Sequence, residues 1–377
     1  MGKYTNIGNA GFEAIRRGLF DGLEISKDSS FEKFLNKYNV IYLDITLFIS
    51  RASHMRDVVR SINQEVLAEV KHMFDGIQKG TDLAETLLYA TEITGDKFIM
   101  IIDEWDALFR EAKDDVKLQK EYIAFLRGLF KSVWTDMIFD AVYITGILPI
   151  KKYGTQSAMT DFKEYTMTQP EPLETYIGFT EEEVRDLCAD SEFAFETIQK
   201  WYDGYIIGNE THIYSPQSVT EAIRRKRIGN CWTQSETYES LKLYIELNED
   251  GLKEAVVQML GGGRIKIDVS TFQNDLTTIK SRDDVLTLLV HLGYLAYDID
   301  NKAVYIPNEE VREEFIRALT TGKHMEIARL IRDSEHLLEM TLNMDEDAVA
   351  LAIEKAHKAG TAPKQAGDTV RRRYGIV

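Results

Sequence analysis

Two hydrophobic periods alternate along the first part of the chain. Val40-Ile41-Tyr42-Leu43-Asp44-Ile45 is rich in β-branched and aromatic residues, the pattern of a strand buried on both faces of a parallel sheet. Met55, Val58, Val59, Ile62, Val66, Val70, Met73 and Phe74 then recur at helical spacing, which predicts an amphipathic helix. Leu83, Leu87 and Leu88 predict a second, shorter helix. Phe98-Ile99-Met100-Ile101-Ile102 is the next buried strand, and it ends in Asp103-Glu104-Trp105-Asp106. A long helix follows, with Tyr122, Ile123, Phe125, Leu126, Leu129 and Phe130 on its apolar face. Ala141-Val142-Tyr143-Ile144-Thr145 is a third strand, closed by Gly146. Strands and helices in alternation, with continuously apolar strands, predict an α/β fold around a parallel sheet.

The pattern changes after residue 165. Thr180 and Glu183 have the spacing of a capping box. Ser215-Pro216 starts another helix, with proline at its first position. Ser281 opens a helix carrying Val285, Leu288, Leu289 and Leu292, which stops at Gly293. Two strands, 294–298 and 303–306, flank Asp300-Asn301, and Asn308 caps a helix bearing Val311, Phe315 and Ile316. Helix, hairpin and helix in that order predict a winged-helix-like unit. The stretch from Thr361 has no apolar periodicity and reads as a loose tail.

Composition narrows the function classes. Lys and Arg total 45 against 62 Asp and Glu, a formal net charge of −17. That field opposes non-specific nucleic-acid coating. Cys188 and Cys231 are the two cysteines, too few for a disulfide framework or a four-thiolate zinc site. A reducing cytoplasm is the expected location, and no apolar run is long enough to span a membrane. The seven histidines are scattered without metal-ligand spacing. Trp201, Tyr202 and Tyr205 read as packing around a Gly204 turn, with Asp203 bonded to that turn. Arg224-Arg225-Lys226-Arg227 reads as a solvated helix end.

The chemistry-bearing pattern is Phe98 to Asp106. An apolar strand ending in Asp-Glu has the form of a Walker B motif, and ligands of α/β sheets bind beyond the carboxyl ends of the strands. There Asp103 is the candidate to hold Mg²⁺, and Glu104 the candidate to polarise a water for attack on a γ-phosphate. Thr145, ending the next strand, is the candidate contact to that phosphate or water. The plainer alternative is that the carboxylates end a strand and begin a helix, where acids suit the macrodipole. A P-loop also requires Gly-x-x-x-x-Gly-Lys-Ser/Thr. No Gly-Lys-Ser or Gly-Lys-Thr occurs in the chain, and Gly261-Gly262-Gly263-Arg264 reads as a turn.

Leu19-Phe20-Asp21-Gly22-Leu23, Ile102-Asp103-Glu104-Trp105-Asp106, Thr145-Gly146-Ile147-Leu148-Pro149-Ile150 and Trp201-Tyr202-Asp203-Gly204-Tyr205 stand in one order along the chain. In this the sequence resembles bacterial AAA-ATPase-like proteins, P-loop ATPase-like chains that often carry a C-terminal PD-(D/E)XK nuclease-like domain. The resemblance runs over roughly residues 1 to 357. It implies ATP and Mg²⁺ as cofactors and a P-loop-ATPase-like α/β core followed by a mainly helical, winged-helix-like region. Gly11-Phe12-Glu13-Ala14-Ile15 resembles the family's N-terminal start, but Gly18 runs directly into Leu19-Phe20. The tract that carries the first core strand, the P-loop and its helix in that family is therefore expected to be deleted, leaving the core incomplete. No strands bearing a nuclease metal site follow Lys358.

The expected division is an N-terminal remnant over 1–18, an ATPase-like core over 19–165, a helical and winged-helix-like region over 166–320, and a connector with tail over 321–377. Three functional readings follow. The first is an AAA-ATPase-like protein impaired in hydrolysis. The second is an interaction module whose open sheet edge receives a partner protein. The third is a remnant that folds only in part.

Overall fold

The computed structural model describes residues 5–6, 19–35, 37–74, 77, 80, 82–149, 152–153, 156–157, 162–191, 193–208, 211–232, 251–272, 279, 281–321, 333, 336–338 and 340–360. Most of the expected N-terminal remnant, including Gly11 to Ile15, lies outside them, as does the tail from Thr361. Contacts divide the chain into two units, Met1–Glu171 with Asp268–Gly293, and Pro172–Ile267 with Tyr294–Val377.

The first unit is built on a mixed sheet. Its strands are β1 (Thr5–Asn6), β2 (Asn39–Asp44), β3 (Phe98–Asp103) and β4 (Phe139–Ile144), side by side in that order. β2, β3 and β4 are parallel, and β1 lies antiparallel against β2. The three apolar runs thus form a small parallel sheet, as their continuous hydrophobicity predicts.

Their burial departs from the expectation. Ile41 and Leu43 are buried on β2, while Tyr42 between them is exposed. On β3, Phe98, Met100 and Ile102 are fully buried and alternate with half-buried residues. One face is therefore closed and the other only partly so. β4 differs most: Asp140, Ala141 and Tyr143 are exposed, because among the described residues β4 pairs with β3 alone. Each fully buried apolar side chain on the closed face contributes roughly 1.5–3 kcal/mol.

The helices form where the apolar stripes predict them, with corrected ends. Ile45 does not extend β2 but begins α1 (Ile45–Arg51), because the Asp44 carboxylate accepts the Leu47 amide at 3.1 Å and caps it. α2 (Val58–Met73) follows a 3₁₀ turn that takes up Met55. α3 (Leu83–Thr94) is capped by Asp82, which accepts the Glu85 amide at 2.9 Å. The single helix expected after Asp106 is two, α4 (Ala107–Glu111) and α5 (Val116–Phe130). Asp115 caps the second by accepting the Leu118 amide at 3.1 Å. Val58, Ile62, Val66 and Val70 of α2, Leu87 of α3 and Tyr122 and Leu126 of α5 join β2 and β3 in one core.

In the second unit, β5 (Phe179–Thr180) leads into α6 (Glu181–Ser191). The Thr180 amide donates to Glu183 Oε2 at 2.8 Å, and the Glu183 amide to Thr180 Oγ1 at 3.4 Å, so the capping box forms. α7 (Phe195–Tyr202) is followed by β6 (Tyr205–Ile207) and β7 (Thr211–Tyr214), and β7 lies between β5 and β6 in an antiparallel sheet. Ser215 caps α8 (Pro216–Arg225), whose basic end is solvated: Arg224 and Arg225 both pair with Glu221. α9 (Leu252–Leu260) precedes β8 (Ile265–Lys266). α10 (Arg282–His291) belongs to the first unit. β9 (Ala296–Asp298) and β10 (Ala303–Tyr305) form the expected hairpin, β10 also pairs with β8, and α11 (Glu309–Thr321) and α12 (Glu346–Gly360) follow. Asn308 caps α11 by accepting the Val311 amide at 3.0 Å. Among the described residues, no helix is long and apolar enough to cross a membrane.

Candidate functional site: the acidic strand end

The carboxyl ends of β2, β3 and β4 bring the candidate residues together. Parallel register sets Asp44 beside Asp103, and Ile102 beside Ile144. One residue further, the Thr145 amide donates to the Ile102 carbonyl at 2.8 Å, and the Trp105 amide donates to the Thr145 carbonyl at 3.0 Å. The two strand ends are thus stitched together beyond the regular ladder.

Asp103 receives three donors. The Thr145 hydroxyl donates to its Oδ1 at 2.5 Å, the Tyr42 hydroxyl to its Oδ2 at 2.8 Å, and the Glu104 amide to Oδ1 at 3.1 Å. The Thr145 bond does most to hold the Asp103 carboxyl below its ordinary range; partial burial opposes it, and Tyr42 and the Glu104 amide reinforce it. The same contact raises the Tyr42 phenol. A carboxyl depressed in the fold stabilises the protein above its unfolded value and loses that contribution as pH falls through the folded value. Thr145→Val should therefore cost roughly 1.5–3 kcal/mol at neutral pH. The wild-type advantage should vanish on acidification below the carboxylate range, read from urea midpoints against pH. A difference independent of pH would show that the hydroxyl does not act through Asp103.

Glu104 is placed differently. Its φ of 53° is in the left-handed region, and its carboxylate forms an ion pair with Arg110. Burial raises the Glu104 carboxyl; Arg110 opposes this, while Asp106, Asp103 and Asp44 add to it. Arg110 Nε also donates to Asp106 Oδ2 at 3.0 Å.

Asp106, Trp105 and Gly146 form a joint that no local spacing announces. Asp106 is 1% exposed and accepts the Ile147 amide on Oδ1 and the Leu148 amide on Oδ2, both at 3.1 Å. The Trp105 indole donates to the Leu148 carbonyl at 3.1 Å. A Cβ on Gly146 would lie 2.5 Å from Asp106 Oδ1 and 2.5 Å from Trp105 Cδ1, so the chain passes too close for any side chain. The signal in the sequence is the pairing of Asp103-Glu104-Trp105-Asp106 with Thr145-Gly146-Ile147-Leu148.

Asp103 offers a fixed anion to a cation, and the described residues set round it are mostly further carboxylates. Asp44, Asp103, Glu104 and Asp106 are all carboxylates, and the guanidinium among them, Arg110, is committed to Glu104 and Asp106. A polyphosphate requires converging amides or free cations, and the sequence has no Gly-Lys-Ser/Thr to supply them.

No curated protein matches the chain. Residues 9–155 match a family model, AAA-ATPase_like, described as a predicted AAA-ATPase. The segment carrying Asp103, Glu104 and Thr145 is thus similar to the AAA-ATPase-like family.

Proposed function

We propose that this chain is an AAA-ATPase-like protein that keeps a Walker B-like strand end but does not turn over ATP. The supporting observation is the state of the acidic pair. Asp103 is already satisfied by Thr145, Tyr42 and a backbone amide, and Glu104 is tied to Arg110. Phosphoryl transfer depends on positioning and charge stabilisation, and a chain without a P-loop lacks much of both. Asp103 remains the residue to hold Mg²⁺, and Thr145 is the residue that orients it. A cytoplasmic setting and a winged-helix-like region beyond residue 165 complete this reading.

Steady-state ATP hydrolysis should be at background, and Glu104→Gln should leave it there. Calorimetry should give no nucleotide binding with or without Mg²⁺. Robust Mg²⁺-dependent hydrolysis abolished by Glu104→Gln would overturn the proposal.

A second reading is an interaction module. It is supported by the exposed β4 edge, where Tyr143 is 58% exposed and pairing is to β3 alone among the described residues. A strand from a partner protein would complete that edge. Size-exclusion chromatography with light scattering on the full chain and on Tyr143→Lys distinguishes the two. Self-association lost in the variant favours the module.

A further inference from the structure

We propose that Glu181, Asp203 and His212 form a binding site for a divalent transition-metal ion of the zinc class. The site lies in the second unit and is independent of the nucleotide question. Three elements converge on it: Glu181 opens α6, Asp203 directly follows α7, and His212 lies on β7.

Each residue offers one ligand atom, and these atoms all lie within 4.8 Å of one another. His212 Nδ1 lies 2.8 Å from Asp203 Oδ1 and 3.0 Å from Oδ2. Metal–ligand bonds of about 2.0–2.2 Å place adjacent ligand atoms roughly 3 Å apart, so an ion would take the place of the His212–Asp203 hydrogen bond, with Glu181 drawn in from within 4.8 Å. An imidazole with two carboxylates suits zinc and its first-row neighbours, whereas Mg²⁺ and Ca²⁺ prefer oxygen alone. All three side chains are partly exposed, which leaves an entry path.

The charges near the site are unequal. Arg185 donates to Glu181 Oε1 from Nε at 2.9 Å and from Nη2 at 2.7 Å, and its guanidinium is held over the Phe195 ring at 3.8 Å. It occupies one Glu181 oxygen and compensates one of the two carboxylates. The remaining negative charge favours a cation.

Tyr214 supplies a separate observation. It follows His212 by two positions on β7, so the two side chains share a face. It is 0% exposed, and its hydroxyl has no hydrogen-bond partner among the described residues. A buried hydroxyl with no partner of regular hydrogen-bond geometry, on the His212 face of β7, fits a water or hydroxide carried by a bound ion.

The competing account is a metal-free clip in which the His212–Asp203 contact only ties β7 to the turn after α7. Zinc calorimetry on the full chain separates the two. The wild type should bind one equivalent of Zn²⁺, with affinity reduced at least about tenfold in Glu181→Gln and in His212→Ala. His72→Ala should bind as the wild type does. Glu181 is at a helix start and partly exposed, so Glu181→Gln keeps the test valid even where His212→Ala does not fold. Zn²⁺ should also raise the melting temperature of the wild type and not of Glu181→Gln. No saturable binding by the wild type, or binding unchanged in Glu181→Gln, would overturn the site.

Discussion

Asp106→Ala should destabilise the first unit by about 3–5 kcal/mol. Asp106 is buried, and its two oxygens accept the Ile147 and Leu148 amides while Oδ2 also pairs with Arg110. Alanine removes all three interactions and leaves two amides without an acceptor. An unsatisfied buried donor costs about 1–3 kcal/mol, and domains have only ~5–15 kcal/mol in total. Asp106→Asn, which keeps one acceptor oxygen, should lose less. Asp140→Ala is the control: its contact with Lys97, at 3.5 Å, is between exposed groups, and the change should stay within about 0.5 kcal/mol. Urea unfolding followed by hydrogen exchange over residues 98–149 reads these effects locally. An Asp106→Ala variant as protected as Asp140→Ala would show that the joint between the two strand ends does not hold the unit together.

Gly204→Ala should damage the second unit on a similar scale. Gly204 has φ +127°, and a Cβ there would lie 1.7 Å from the Pro307 carbonyl oxygen. Backbone in that conformation costs a non-glycine residue about 1–3 kcal/mol, and the collision comes in addition. The neighbourhood cannot simply retreat. The Tyr305 hydroxyl donates to the Gly204 carbonyl at 3.0 Å, Asn308 Nδ2 donates to the Tyr202 carbonyl at 3.3 Å, and the Gly204 amide donates to Asp203 Oδ1 at 2.6 Å. The expected loss exceeds ~3 kcal/mol, seen as early melting by circular dichroism and rapid proteolysis after residue 172. Gly128→Ala makes the opposite prediction with the same added methyl. Gly128 lies within α5, and a Cβ there would meet nothing within 4 Å, so alanine should stabilise by about 0.5–1 kcal/mol. Equal melting temperatures for the two variants would place the Pro307 segment away from Gly204.

Much of the fold was legible because its determinants are local. The capping box of Thr180 and Glu183, the Ser215-Pro216 helix start and the Asn308 cap are fixed offsets of three residues or fewer, and each forms. The apolar runs of β2 and β3 were legible too, although the alternation of Ile41 and Leu43 with exposed Tyr42 was not. Burial of a strand's second face depends on what covers it, and no period in the sequence encodes the cover. The same limit explains β4. Its Ala-Val-Tyr-Ile run reads as a core strand, but with one neighbouring strand among the described residues Tyr143 faces outward. Ile45 begins a helix rather than extending β2 because Asp44 caps it there, and a cap outranks a β-branched residue's strand preference.

By itself the sequence determined the alternating strands and helices of the first unit and several capped helix starts of the second, and that Asp103 and Glu104 end a strand. It also determined that no Gly-Lys-Ser/Thr loop is present. Tertiary structure decided what those carboxylates touch: Thr145 meets Asp103 across 42 residues, Leu148 meets Asp106 across 42, and Glu104 turns to Arg110. It likewise brought His212 against Asp203 and Glu181, although His212 has no ligand partner at helical or strand spacing. The reason is geometric. Periods of 2 and 3.6 residues act within one element, whereas a site is made by register between strands and by the turns that end them.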